Sequence, residues 1–269
     1  TRKEKSHIPK KYRKRLNRDC KHFKDVATIL PRISHPNPGS EQFLADIESV
    51  KFYYANPSLK NRFLDVTDRS IEACFRVFCE ESGIELEWKK IGKILDEVDS
   101  VLLNLKFEHM RPRPKYYLSK ESEIYESIRD AKSPSFPSGH TTIAYFMANM
   151  LSDAYPESRP DFEMLAELIG QSRIENGVHF PSDVSAGKLI GQFLFDVYRA
   201  NRDDNALITK IKKNDYKRFA NFLIKKSDNI HRSIEDLANF LHLTNLIENY
   251  SVPYSECHSA SKKVHQGYP

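Results

Sequence analysis

The sequence has no long hydrophobic run. Hydrophobic residues make up 39% of its 269 positions and the mean hydropathy is −0.60. No stretch approaches the roughly 18 apolar residues that a membrane-spanning helix needs. The longest apolar stretches, at 142–151 and 189–198, are interrupted by polar residues and indicate buried helices. The sequence therefore predicts a soluble protein, long enough for one large domain with an appendage.

Several short motifs are also missing. The chain has no Walker loop, no GxGxxG after a strand, no HExxH and no second carboxylate cluster for a metal pair. Its four cysteines, at positions 20, 74, 79 and 257, form no CxxC pair and have no histidine at zinc-ligand spacing. These absences disfavour P-loop, dinucleotide-binding and zinc enzymes. They leave open whether any disulfide forms.

Strand signals are scarce, and apolar residues recur instead at helical spacing between proline-rich joints. Helices are expected from about Ser40, then at 58–81, 85–106, 140–155, 161–173 and 182–198, with Ser182 as the N-cap of the last. Two further amphipathic helices are expected at 206–226 and 233–250. The fold class is thus all-α. We divide the chain into a basic arm and linker (1–39), a helical domain (40–200) and a helical C-terminal extension and tail (201–269).

The net charge of +5 is unevenly distributed. Residues 1–24 contain eleven Lys or Arg and two acidic residues, without the apolar segment of a secretory signal. The pattern favours a solvated terminus, and weak binding of an anionic partner is the alternative. The chain would be periplasmic or secreted if a signal peptide was removed, and cytoplasmic otherwise.

Three segments contain residues suited to phosphate chemistry. Phosphate oxygens favour guanidinium and ammonium groups, which Lys106, Arg113 and Arg173 would supply. Gly139 opens a helix, so that backbone N–H groups can approach the oxygens, and Ser138 can donate one more hydrogen bond. The spacing from Lys106 selects Arg113 over Arg111.

Two histidines could divide the acid–base work. His179 lies four residues before Asp183, which can hold the imidazole in the tautomer needed to attack phosphorus. His140, beside the anion-binding turn, would protonate the leaving group and then activate water. The mechanism requires no metal and no cofactor. Other charged residues near these segments are candidates for the entrance of the site: Glu108, His109, Arg111 and Glu175.

These segments resemble the three motifs of the type 2 phosphatidic acid phosphatase (PAP2) superfamily. The matching patterns are Lys106-x6-Arg113-Pro114, Pro137-Ser138-Gly139-His140 and Ser172-Arg173-x5-His179-x3-Asp183. The resemblance covers about residues 40–200, and the short separation of the motifs is most similar to the bacterial class A nonspecific acid phosphatases. It implies a helical bundle, His179 as nucleophile, His140 as acid, Asp183 as orienting residue and phosphate contacts from the other motif residues.

The expected function is hydrolysis of small soluble phosphate esters, with nucleotides among the candidates, through a phosphohistidine. Vanadate should inhibit, because it mimics the transition state. Two alternatives stay open at this point: a vanadium-dependent haloperoxidase and a noncatalytic phosphate-binding or interaction protein. Self-association is expected only by analogy with the class A enzymes.

Overall fold

A computed structural model describes residues 8–59, 61–118 and 133–202. Eight α-helices lie within these ranges: α1 (Lys10–Leu16), α2 (Glu41–Ala55), α3 (Asn61–Arg69), α4 (Ile71–Glu81), α5 (Trp88–His109), α6 (Gly139–Ala154), α7 (Arg159–Glu175) and α8 (Pro181–Arg202). Short 3₁₀ turns occur at Val26–Thr28, Pro114–Tyr117 and Pro156–Ser158. No strand occurs in these ranges, and the all-α class is confirmed. The expected helices at 206–226 and 233–250 lie outside the described residues.

Serine caps set two helix boundaries. Ser40 accepts a hydrogen bond from the backbone N–H of Phe43 at 3.2 Å and begins α2 where the sequence predicted it. Ser70 accepts from Ala73 N–H at 3.1 Å and begins α4. The single helix expected at 58–81 is therefore wrong. Ser70 has extended backbone angles, which end α3 and start a new helix after it.

Helix α6 lies at the centre of the fold and packs most extensively against α7 and α8. One face contacts an apolar cluster built with α3, α4 and α7, which includes Phe75, Phe162 and Leu165. Its other face, with Phe146, contacts a second cluster built mainly with α5 and α8. The N-terminus of α6, which carries the second motif, is thereby fixed between helices that carry the first and third.

Two glycines allow α8 to approach α6 closely. A Cβ at Gly187 would lie 2.7 Å from the Ser138 carbonyl oxygen, and one at Gly191 would lie 2.5 Å from the Thr142 carbonyl oxygen. Contacts this short exclude any side chain. The first turns of α6 therefore rest directly on the backbone of α8.

The described part of the basic arm, from residue 8, packs on the helical domain instead of extending into solvent. Tyr12 and Leu16 of α1 are buried beside Leu103 of α5. Arg15 Nε donates to Asp99 Oδ2 at 2.8 Å, and Arg18 also forms an ion pair with a carboxylate of α5. The expectation of a solvated terminus is wrong for these residues, because apolar and charged groups of α1 have partners on α5.

Met110 ends α5 in the left-handed conformation (φ 51°), and its N–H donates to the Lys106 carbonyl at 2.9 Å. The chain then reverses, so that Arg111 and Arg113 point back toward the start of α8. Within the described ranges, no helix is long and apolar enough to span a membrane.

Candidate active site

The second motif forms the turn that opens α6. Ser138 is the N-cap, and its Oγ lies 3.4 Å from Thr141 N and 2.8 Å from Thr141 Oγ1. Its own N–H donates to the Asp183 carbonyl at 2.9 Å, which joins the second motif to the third. The preceding peptide bond, Phe136–Pro137, is cis. The N–H groups at the start of α6 provide the positive end of a 16-residue helix.

Lys106 binds the backbone of this turn. Its buried ammonium donates to the carbonyls of Pro134 and Ser135 at 3.0 Å each and of Pro137 at 2.6 Å. Burial, and next the charge of Arg113, hold the pKa of Lys106 well below its ordinary value. All three ammonium hydrogens are thus directed at backbone carbonyls of the turn. A phosphate contact from Lys106 would have to replace one of them.

Arg113 joins the turn to the third motif. Its Nε donates to the Ser133 carbonyl at 3.0 Å, and its Nη1 donates to the Val178 carbonyl at 2.8 Å. The same Nη1 lies 3.2 Å from Nε2 of His179. Burial lowers the pKa of Arg113 to about 10, so the guanidinium remains charged at neutral pH.

His179 and Asp183 are in contact and buried. Asp183 Oδ2 lies 3.2 Å from His179 Nδ1 and accepts the Phe180 N–H at 3.0 Å. The Ser135 hydroxyl donates to the same carboxylate oxygen and lies 3.4 Å from Nδ1. A carboxylate at Nδ1 favours the tautomer that carries the proton there, which leaves the lone pair on Nε2.

Opposite charge effects act on this pair. Burial, followed by the charge of Arg113, holds the pKa of His179 well below its ordinary value, although Asp183 opposes this. Burial disfavours ionised Asp183, but the hydrogen bond and charge of His179 and the charge of Arg111 outweigh it and lower the Asp183 pKa. The neutral form of the His179 imidazole and the carboxylate form of Asp183 are therefore both favoured.

Arg173 and His140 lie close to each other and to Asp68. Arg173 is buried in the last turn of α7, and its Nη2 donates to Asp68 Oδ1 at 2.7 Å. Its Nε and Nη1 have no hydrogen-bond partner among the described residues. Burial, and next the charge of Arg173, lower the pKa of His140 to about 3, although a hydrogen bond to the Asp68 backbone opposes this.

The structure thus brings the predicted residues of all three motifs together around the turn before α6. It also adds Ser135, Asp46, Asp68 and Arg111, which the motifs do not include. Ser135 lies in the turn itself, within Ser-Pro-Ser-Phe-Pro. Asp46 and Asp68 are distant in sequence from the motif residues, and no local pattern identifies them.

Three sequence-based expectations need correction. Arg111 is almost completely buried and binds two carboxylates, so it does not line an entrance. Glu175 is also buried and accepts hydrogen bonds from the backbone of Ser58 and Leu59 at 3.1 and 2.9 Å. Ser182 is not an N-cap, because α8 begins one residue earlier and the Ser182 hydroxyl contacts Asp46 and Arg111. The hydrogen-bond partners of these three side chains therefore belong to the protein itself.

Comparison with known proteins identifies the family. A family model described as PAP2 superfamily matches residues 98–205, which include all three motifs. The chain is 30% identical over 176 residues to a non-specific acid phosphatase of Salmonella typhi, and the match covers 60% of this chain and 69% of that protein. The chain belongs to the PAP2 superfamily. The recognition made from the motifs is confirmed.

Other relatives of this chain also have acid phosphatase names. A non-specific acid phosphatase of Providencia stuartii is 28% identical over 207 residues, covering 70% of this chain and 79% of that protein. An acid phosphatase of Zymomonas mobilis is 39% identical over a shorter segment of 59 residues, 22% of each chain. In the described part of this PAP2 chain, no three His, Cys, Asp or Glu side chains are arranged to hold a metal ion.

Proposed function

We propose that this protein hydrolyses phosphomonoesters through a covalent phosphohistidine at Nε2 of His179. As a PAP2 member with non-specific acid phosphatases among its relatives, it is a phosphoric monoester hydrolase. The substrates we propose are small soluble phosphate esters, including nucleotides. The mechanism and the substrates go beyond what family membership establishes, and they rest on the arrangement of the site.

The orientation of His179 is the observation that supports this mechanism most. Asp183 lies at Nδ1, at 3.2 Å, so the lone pair is on Nε2. That nitrogen faces Arg113 at 3.2 Å and thus faces a group that attracts phosphate oxygens. A neutral, oriented imidazole beside a guanidinium is the arrangement that nucleophilic attack on phosphorus requires.

Arg173 supports a phosphate site independently. Its Nε and Nη1 are buried and lack partners among the described residues. Leaving charged donors buried and unbonded costs free energy, about 1–3 kcal/mol or more for each group. The oxygens of a bound phosphoryl group are acceptors of the kind that these charged donors favour. Fixed donors of this kind stabilise the developing charge of the transition state.

The reaction proceeds in two balanced steps. A bound phosphate monoanion first passes its proton to His140. Nε2 of His179 then forms a bond to phosphorus while the bond from phosphorus to the ester oxygen breaks, and His140 gives that proton to the ester oxygen. Water then attacks phosphorus, His140 accepts its proton, and the bond to Nε2 breaks to release inorganic phosphate. His140 passes this proton to the departing phosphate and is again neutral, as in the free protein.

The test is hydrolysis of p-nitrophenyl phosphate from pH 4 to 9 in a chelator, with wild type and His179→Ala. Wild-type activity that resists the chelator and is lost in the variant is expected. His22→Ala is the matched control, because His22 contacts Glu97 at 3.0 Å and lies outside the motif residues. Activity of His179→Ala within a few-fold of wild type would exclude the mechanism.

The intermediate can be tested directly. Rapid acid-free quenching with a radiolabelled ester should trap label on wild-type protein, in a linkage stable to alkali and labile to acid. His179→Ala should incorporate none. Vanadate should inhibit competitively with the ester, because a trigonal bipyramid occupies the same cage of donors.

A further inference from the structure

Arg111 is buried completely behind the predicted nucleophile. Its Nη1 donates to Asp183 Oδ1 at 2.6 Å and to Ser182 Oγ at 2.7 Å. Its Nη2 donates to Asp46 Oδ2 at 2.9 Å, and its guanidinium lies 4.0 Å from the ring centroid of Phe180. The guanidinium is therefore shared between two buried carboxylates, of which one contacts His179.

Asp46 also binds Ser182, the residue next to Asp183. Its Oδ1 accepts the Ser182 N–H at 3.1 Å and its Oδ2 accepts the Ser182 hydroxyl, so α2 is bound to the first turn of α8. The two carboxylates and one guanidinium have a net charge of −1. Removing one member of such a buried group leaves the others uncompensated.

We propose that Arg111, shared between Asp46 and Asp183, is a positioning residue. It sets the pH below which His179 is protonated and can no longer attack phosphorus. The proposal rests on the proposed function of His179. Arg111 acts through Asp183 and touches no reacting atom.

The physical basis is competition for the charge of Asp183. Its Oδ2 faces His179 and favours the imidazolium, whereas Arg111 at Oδ1 offsets that negative charge. Asp46 draws on the same guanidinium and weakens the offset. The other charged or titratable groups that face the pair are constant in the comparison below: Lys106, Arg113 and Tyr117.

The variants have effects of predictable sign. In Arg111→Gln, Asp46 and Asp183 lose their cation, so protonation of His179 becomes easier. The acid limb of the profile, which is the pH range where kcat/KM falls as the pH is lowered, should therefore move to higher pH. A charge near a titratable group shifts its pKa by about 1–3 units, and Arg111 acts on His179 through Asp183, so a rise of about one pH unit is expected. Adding Asp46→Asn to Arg111→Gln removes the uncompensated negative charge, and the limb should move back toward that of wild type.

The experiment measures kcat/KM for p-nitrophenyl phosphate from pH 3 to 7, together with an NMR titration of the His179 ring in each variant. Arg111→Lys keeps the charge and should keep the limb, with a lower kcat from lost geometry. Glu175→Gln is the matched control, because Glu175 is a buried carboxylate whose hydrogen-bond partners among the described residues are Ser58, Leu59 and Gln171. It should leave the limb unchanged.

Opposite movements in the single and double variants support the proposal. The proposal is overturned if the acid limb does not move in Arg111→Gln, or if adding Asp46→Asn moves it to still higher pH. If Arg111→Gln does not fold, Asp46→Asn alone tests the sharing: Arg111 then pairs with Asp183 only, so the limb should lie below the wild-type position, and a limb above it overturns the proposal. A wild type that hydrolyses no ester refutes the proposed function, whereas the NMR titration still tests the effect of Arg111 on His179.

Discussion

Nη1 of Arg113 lies 3.2 Å from Nε2 of His179. Only a neutral imidazole can accept this hydrogen bond, because an imidazolium would direct a second N–H at the guanidinium. Arg113 therefore favours the nucleophilic form of His179 and competes for its lone pair. A phosphoryl oxygen that accepts the Arg113 hydrogens would release the lone pair for attack.

Replacing Arg113 by lysine should separate these effects. Lysine retains the charge but cannot reach Ser133, Val178 and His179 with one planar fork. We expect kcat/KM for p-nitrophenyl phosphate to fall about 10²–10³-fold, the usual effect of removing one transition-state donor. Arg18→Lys, which changes an arginine paired with Asp96 on the surface, should have no effect. A fall of less than threefold for Arg113→Lys would contradict this role.

Loss of His140 should depend on the leaving group. p-Nitrophenolate is a weak base and needs little protonation, whereas an alkoxide needs a proton in the transition state. His140→Ala should thus reduce kcat for alkyl phosphates by about 10²–10⁴-fold, the range of general acid catalysis, and reduce it less for p-nitrophenyl phosphate. Measured kcat values for both esters in the two proteins test this. An equal loss for the two esters would mean that His140 is not the acid.

The pH profile should follow the protonation state of the ester. The pKa of His140 is lowered to about 3, so its proton is absent in the free protein above that pH. The reaction still needs one proton, which a phosphate monoanion brings until its second pKa, about 6. We expect kcat/KM to be flat from about pH 4 to 6 and to fall tenfold per pH unit above.

Two esters with different second pKa values provide the check. The alkaline limb should move with the ester, because the proton enters with the substrate. The acid side should stay active, since the lowered pKa of His179 keeps its imidazole neutral. An alkaline limb at one pH for both esters would instead assign the titration to the protein.

Gly187→Ala should damage the site although it replaces no motif residue. The new methyl group would lie 2.7 Å from the Ser138 carbonyl oxygen and 3.0 Å from Thr141 Cβ, so the start of α6 must shift. Overpacking of this kind costs about 1–3 kcal/mol, and kcat/KM should fall with it. Urea unfolding and kinetics measure both effects.

Gly92→Ala is the control for that substitution. Gly92 also lies within a helix, and the nearest atom to its Cβ would be Glu72 Oε2 at 3.9 Å. Alanine should stabilise α5 by about 0.5–1 kcal/mol and leave kinetics unchanged. Equal behaviour of the two variants would show that the contact of Gly187 with Ser138 has no consequence.

The sequence predicted most helices well because each has its own signal. Ser40 caps α2, and the apolar spacing of α6 and α8 gives bounds within a few residues of those observed. The prediction failed for the N-terminal arm, where a short apolar pattern stands within a strongly basic segment. The eleven basic residues of the arm outweighed the spacing of Tyr12 and Leu16, which α1 in fact buries.

The motif residues of the site were predictable from the sequence, whereas their partners outside the motifs were not. His179 and Asp183 lie one helical turn apart and meet as expected. Arg111 lies two residues from Arg113, but its function depends on Asp46, which is 65 residues away. Such a pairing comes from the packing of α2 against the start of α8, and one sequence contains no pattern that specifies it.

The backbone hydrogen bond from Ser138 N–H to the Asp183 carbonyl has a consequence for how this enzyme can diversify. It makes the start of α6 and the start of α8 one mechanical unit, further tightened by Gly187. The exposed Tyr116 lies outside that unit, so replacing it should leave this contact between the segments of the proposed acid and the proposed nucleophile in place. Substrate range and chemical competence are therefore separable traits, and selection can act on one while the other is preserved.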